Sequence, residues 1–137
     1  MAKKSEFDYD FQESTLWGVS SALEAFQVCI EINQHLGWEL HRLSDFEVEN
    51  IAFKRFGWVD RETSYFQFLV KNKQVTDYFL PELKQFDYLL YLEADPDLVP
   101  LKEIHGQLKQ LKNIFFSLMD VDSLKQKQKL SYLHANE

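Results

Sequence analysis

Apolar and polar residues follow two different rhythms along this chain of 137 residues, and the switches between them outline its elements. Over residues 20–36, apolar side chains recur every three or four positions. Ala22, Ala25, Cys29, Ile32 and Leu36 form one stripe, widened by Leu23, Phe26 and Ile30. That spacing predicts an amphipathic helix lying on a core. Ser21 with Glu24 three residues later predicts a capping box at its start, and Gly37 predicts its left-handed close.

The middle of the chain changes to period two. Residues 38–43 alternate briefly, and residues 51–58 and 64–70 flank a hairpin connection at 59–63. Phe66, Phe68 and Val70 fall on one face, with Tyr65, Gln67 and Leu69 on the other. Residues 71–74 are polar punctuation. Residues 86–93 read as a third long strand. Phe86, Tyr88, Leu90 and Leu92 share a face; Asp87, Leu89, Tyr91 and Glu93 share the opposite one. Asp95-Pro96-Asp97 predicts a turn. A second helix over 100–111 carries Leu101, Ile104, Leu108 and Leu111. A strand at 114–121 and a short helical segment from Asp122-Ser123 complete the chain, with the last few residues fraying. Residues 1–15 read as a loosely attached arm or an edge strand, since Phe7, Tyr9 and Phe11 alternate with acids.

Strands joined by short turns imply antiparallel pairing, and the unit 86–121 implies one parallel crossover. The expected fold is therefore α+β: a two-layer sandwich with a mainly antiparallel sheet and helices on one face. No linker or repeat divides the chain, which reads as a single domain over 1–137.

Composition adds one point. Twelve Phe, six Tyr and three Trp demand either a thick aromatic core or aromatic surface shown to a partner. Net charge is −7, with nine Lys/Arg against eighteen Asp/Glu in the first 100 residues. Such an acidic bulk argues against nucleic acid, whose phosphates need a basic surface. The lysines of 125–129 read as a solvated face. No run approaches the roughly 18 apolar residues of a membrane span, and no apolar stretch follows the N-terminal lysines. A cytoplasmic protein with no membrane contact is expected. The lone Cys29, inside a helical pattern, reads as a buried, inert thiol.

Chemical motifs are few. Glycines 18, 37, 57 and 106 are isolated, so no phosphate cradle forms. His35, His41, His105 and His134 lack metal-ligand spacing. Asp120, Asp122 and Ser123 suit a cap better than a cation. Ser20-Ser21 is no nucleophile elbow, and His105 reads as a partly exposed helix residue. No metal, cofactor or catalytic residue is assigned.

One segment stands out: Leu80-Pro81-Glu82-Leu83-Lys84-Gln85-Phe86-Asp87-Tyr88. Leu80 is pushed to extended geometry by the proline. Asp87 is the odd residue, because aspartate is depleted in strands and burying its charge unpaired costs several kcal/mol. It must face solvent, accept backbone N–H groups, or pair with a base such as Arg55 or Lys84. Glu82 braces the turn, or joins Asp87, Tyr88 and Tyr91 in lining a pocket or partner surface. The segment resembles the signature of the IPExxxVDY family, with Leu80 for its Ile, Phe86 for its Val, and Pro81, Glu82, Asp87 and Tyr88 matched. The resemblance implies a small bacterial cytoplasmic protein without an assigned activity and supplies no catalytic residues.

The functional expectation is a non-catalytic protein-interaction module, a homodimer or an adaptor. The alternative is a small-ligand binder or an enzyme with a pocket near Glu82, Asp87 and Tyr88.

Overall fold

The computed structural model describes residues 11–74 and 76–135. The chain forms β1 (Ser14–Ser20), α1 (Ala25–Leu36), β2 (His41–Arg42), β3 (Phe46–Val48), β4 (Ile51–Phe53) and β5 (Arg55–Asp60). It continues through β6 (Tyr65–Lys71), β7 (Lys73–Gln74), β8 (Asp77–Tyr78), β9 (Tyr88–Glu93), α2 (Leu101–Leu108) and β10 (Phe115–Met119). Short 3-10 segments lie at Pro81–Leu83, Val121–Ser123 and Lys127–His134. The predicted strand around Phe7–Phe11 lies outside the described residues except for Phe11, which is coil beside His105.

Six strands form one sheet in the order β10-β1-β9-β6-β5-β2, and every neighbouring pair is antiparallel. This is the expected α+β class, with both α-helices on one face of the sheet. Val28, Cys29 and Ile32 of α1 and Leu101, Ile104 and Leu108 of α2 pack on Trp17, Val19, Leu69, Tyr88, Leu90 and Leu92. The alternation read for 64–70 and 86–93 places these residues as expected, except Phe86, which precedes the strand and packs with the opposite core rather than with Tyr88.

The unit β9-α2-β10 does run parallel, but β1 is inserted between its two strands. The pattern left β1 unassigned. Ser14–Ser20 is buried from Thr15 to Val19 and so lacks alternation, as strands covered on both sides do. Gly18 within this strand serves packing. A Cβ there would lie 2.5 Å from the Phe86 ring, so glycine makes room for that side chain.

The opposite sheet face is closed by non-helical structure. The β3–β4 hairpin, the 3-10 segment at Pro81–Leu83 and the C-terminal stretch cover it with Phe46, Phe53, Phe79, Leu80, Leu83, Leu130 and Leu133. Phe46, Phe53 and Phe79 meet at centroid distances of 5.3–5.8 Å in tilted and edge-on arrangements. The abundance of aromatics thus fills two cores, and the sheet is not open on that side. Hairpin β3–β4 breaks what reads as a single strand over 51–58. Its two-residue turn places Glu49 and Asn50 at φ 53° and 70°, the left-handed pair that matches strand twist.

Helix α1 starts at Ala25 because Ser20 ends β1 and Ser21 is already bonded elsewhere. Gln27 Oε1 accepts from the Glu24 amide at 3.0 Å, so the box sits three residues later than read from Ser21. Gly37, at φ 72°, closes the helix as expected, its N–H bonded to Asn33 O. The buried stripe includes Val28, while Phe26 and Ile30 face outward, 55% and 45% exposed. His105 is buried and accepts a 2.9 Å bond from Trp17 Nε1, correcting its expected half-exposure.

Candidate functional site

Strand β9 begins at Tyr88, so Phe86 and Asp87 belong to the approach rather than to the strand. The segment before it is held by Asn72, a fully buried side chain. Asn72 Nδ2 donates to Leu83 O at 2.9 Å and Phe86 O at 3.3 Å. Its Oδ1 accepts from Leu80 N at 3.0 Å, and its own amide donates to Asp87 O. One amide thereby satisfies a turn that would otherwise bury orphan groups.

The two signature acids accept backbone N–H groups from distant elements. Glu82 accepts from Lys125 N and Gln126 N, at 3.1 and 3.0 Å, anchoring the C-terminal stretch. Asp87 is exposed and accepts from Ser21 N at 3.0 Å, tying the end of β1 to its own turn. Asp87 therefore meets its requirement through backbone amides; Arg55 is engaged elsewhere, on the carbonyls of Ser44, Leu133 and Ala135. Tyr88 donates to Leu23 O at 2.6 Å on the helix face. Burial, then the nearby Glu24 and Asp87 carboxylates and Cys29, pushes its hydroxyl pKa above the ordinary value.

The four predicted residues are not brought together. Asp87 and Tyr88 line a polar cleft of about 490 Å³ with Lys71, Lys73 and Lys84. Tyr91 points to the opposite sheet face, into a cleft of about 660 Å³ with Ser14, Glu93, Asp122, Lys127 and His134. Glu82 lines neither.

Around Tyr91 runs a bonded chain that sequence reading did not find, since its members are scattered from residue 14 to residue 134. Tyr91 Oη lies 3.0 Å from Ser14 Oγ and 2.8 Å from Glu93 Oε1, which is also 2.9 Å from His134 Nε2. A hydroxyl has one proton to give, and the carboxylate is the stronger acceptor, so Ser14 is the donor to Tyr91. His134 Nε2 then carries the proton that Glu93 receives. Burial raises the Tyr91 pKa further from neutrality. Ser14 has its proton directed at a phenol that is no base at neutral pH, so the chain ties β1, β9 and the C-terminus together without activating a nucleophile. Among the described residues, no group of three His, Cys, Asp or Glu side chains suits a metal ion.

The sheet's two edges differ. Strand β2 is two residues long, and Arg42 wraps it by bonding to Asp45, Leu43 O and Arg55 O. A short, charged edge resists pairing. Strand β10 is five residues long, Phe-Phe-Ser-Leu-Met, with no charge and no proline. Its Phe115 is 70% exposed. Val19 O accepts from Asp87 N on the β9 side, so by alternation Leu16, Gly18 and Ser20 aim their backbone groups at β10. Their partners Phe115, Ser117 and Met119 aim back, which leaves Phe116 and Leu118 aimed outward. Among the described residues one guard stands there: Lys109 Nζ donates to Phe116 O at 3.0 Å.

Comparison with known proteins finds no matching family model, no matching curated protein and no matching solved structure. Among the described residues, no helix is long and apolar enough to cross a membrane.

Proposed function

We propose that this chain is a non-catalytic protein-interaction module of the cytoplasm, joining a second copy of itself through the free edge of β10, as a homodimer or as an adaptor built on one. The observation that carries the reading is the contrast between the two-residue, arginine-wrapped edge at β2 and the five-residue edge at β10, whose own residues carry no charge and where, among the described residues, Lys109 alone bonds an outward carbonyl. Edge pairing extends a sheet through backbone bonds alone. A two-fold axis at Ser117 pairs all five residues of the strand. Phe116 then exchanges backbone bonds with Leu118 of the second copy, and Phe115 lies opposite its Met119. No like charges meet, and the thioether beside the aromatic ring is a favourable contact. Lys109 has only to swing away from the Phe116 carbonyl. The likeness of segment 80–88 to the IPExxxVDY family belongs to this reading, as does the absence of a nucleic-acid or membrane partner.

Light scattering after size exclusion, across a wide concentration range, tests it. A dimer is expected, and Ser117→Cys should cross-link to itself under mild oxidation, because residues opposed on the axis are in disulfide reach. Buried Cys29 stays silent; burial pushes its thiol pKa up to about 12. A strict monomer at every concentration overturns the reading.

A further inference from the structure

A small recess lies on the helix-bearing side of the sheet, between the end of α1 and the β5–β6 pair. It measures about 240 Å³ and is lined by Gly37, Trp38, Glu39, Trp58, Tyr65 and Gln67. Three of these six residues are half-buried aromatics. The Trp58 and Tyr65 rings stand at 88° to each other with centroids 5.6 Å apart, giving two walls at a right angle. Trp38, from the loop after α1, adds a third.

Gln67 faces Trp58 across the strand pair and is 96% buried, with 4% of its surface exposed. Its Nε2 donates to the Tyr65 hydroxyl at 3.1 Å, and its Oε1 has no hydrogen-bond partner. A buried acceptor left unpaired costs about 1–3 kcal/mol, so natural structures rarely keep one. Here the unpaired oxygen belongs to a residue lining an aromatic-walled recess.

Charge points the same way. A larger groove shares Trp38 and Tyr65 with the recess and adds Asp60, Asp95 and Glu103. With Glu39 this makes four acids, and neither lining contains a lysine, arginine or histidine. Asp60 and Asp95 also accept backbone N–H groups within their own turns.

We infer that this recess binds an alkylammonium ion that retains at least one N–H, with its carbon atoms against Trp38, Trp58 and Tyr65 and its N–H donated to Gln67 Oε1, an atom sealed behind the recess surface that a turn of the Gln67 side chain presents to the ion. Aromatic faces attract cations through their quadrupole, and attraction grows when water is excluded. The carbonyl adds a directional preference that the rings lack. The ion has two sources, a free small amine or the lysine side chain of a protein, and the same chemistry serves both. The inference is independent of the β10 edge, which lies at the other end of the sheet.

Tryptophan fluorescence titration tests it with four probes at constant ionic strength. They are dimethylammonium chloride and N-acetyl-lysine amide with its side chain dimethylated, trimethylated or acetylated. The dimethylated lysine should give a saturable change, the trimethylated one should bind several-fold more weakly, and the neutral acetylated one should not bind. Binding by dimethylammonium as tight as by the dimethylated lysine assigns a free amine; tighter binding by the lysine assigns a protein side chain. Trp38→Ala should lower affinity at least tenfold. Glu39→Lys, an exposed substitution that spares the fold, should lower it as well. Gln67→Met should erase the preference for dimethyl over trimethyl. No saturable change, or equal response to the acetylated probe, overturns the inference. So does binding that Trp38→Ala and Glu39→Lys both leave intact.

Discussion

Asn72 carries more of the structure than any acid in the signature segment. It sits in what reads as polar punctuation between strands, yet its side chain is fully buried and bonded to Leu80, Leu83 and Phe86. Asn72→Ala should cost about 2–4 kcal/mol, because it leaves a buried N–H and a buried carbonyl without partners. Urea denaturation of the variant measures this; a loss under about 0.5 kcal/mol, typical of an ordinary surface change, contradicts the bracket. Sequence spacing pointed to Asp87 as a residue needing an explanation, and the structure supplies backbone amides as that explanation. It could not point to Asn72, because an asparagine in a turn-like stretch carries no sign of being enclosed. The same holds for Gln67, whose orphan oxygen is a property of what surrounds it.

At the level of elements, β1 decides the arrangement. It separates β9 from β10, turns an adjacent parallel crossover into a split one, and brings Gly18 beneath Phe86. A Cβ at residue 18 would meet the Phe86 ring at 2.5–2.6 Å, and the nearest atoms include the ring's own root, so the ring cannot simply swing its tip aside. Gly18→Ala should therefore destabilise the fold by about 1–3 kcal/mol. The same substitution in a Phe86→Leu background should cost clearly less. A double-mutant cycle by denaturation reads the coupling, and additive costs would show that ring and glycine act independently. The long elements were legible: α1, α2, β6, β9 and β10 follow their periods to within a few residues. The elements that escaped were the strand buried on both faces, the three-residue strand β3 and the two-residue strands β7 and β8, while β4 was read as one piece with β5. In each case the signal is short, or alternation is removed by burial itself.

At the scale of the whole molecule, both faces of the sheet are covered, and titratable groups are buried on each. Burial pushes the Cys29 thiol pKa from 9.0 up to about 12, and raises the hydroxyls of Tyr65, Tyr88 and Tyr91 above 10.0. A raised folded pKa means the folded chain holds its proton where the unfolded chain has released it. Stability is therefore fully present below about pH 9 and falls as pH rises through the thiol range toward 12, with the tyrosines adding to the loss above 10. Denaturation midpoints at pH 8 and pH 10.5 test this. Cys29→Ala should flatten the fall between them, and an unchanged slope would mean the thiol does not titrate in that window.

What the chain's order of residues determined by itself is the class of fold: local periodicity sets which segments become helices and strands, and short turns make the pairing antiparallel. Periodicity acts over a few residues, so it reaches no further than that. Tertiary structure alone decided that the sheet is closed on both sides, that Glu82 and Asp87 accept backbone amides from distant elements, and that the two sheet edges differ in length and in how they are covered by the described residues. It alone assembled Trp38, Trp58, Tyr65 and Gln67 around one recess. Those outcomes depend on which distant surfaces exclude water together, and no residue's neighbours in sequence record that.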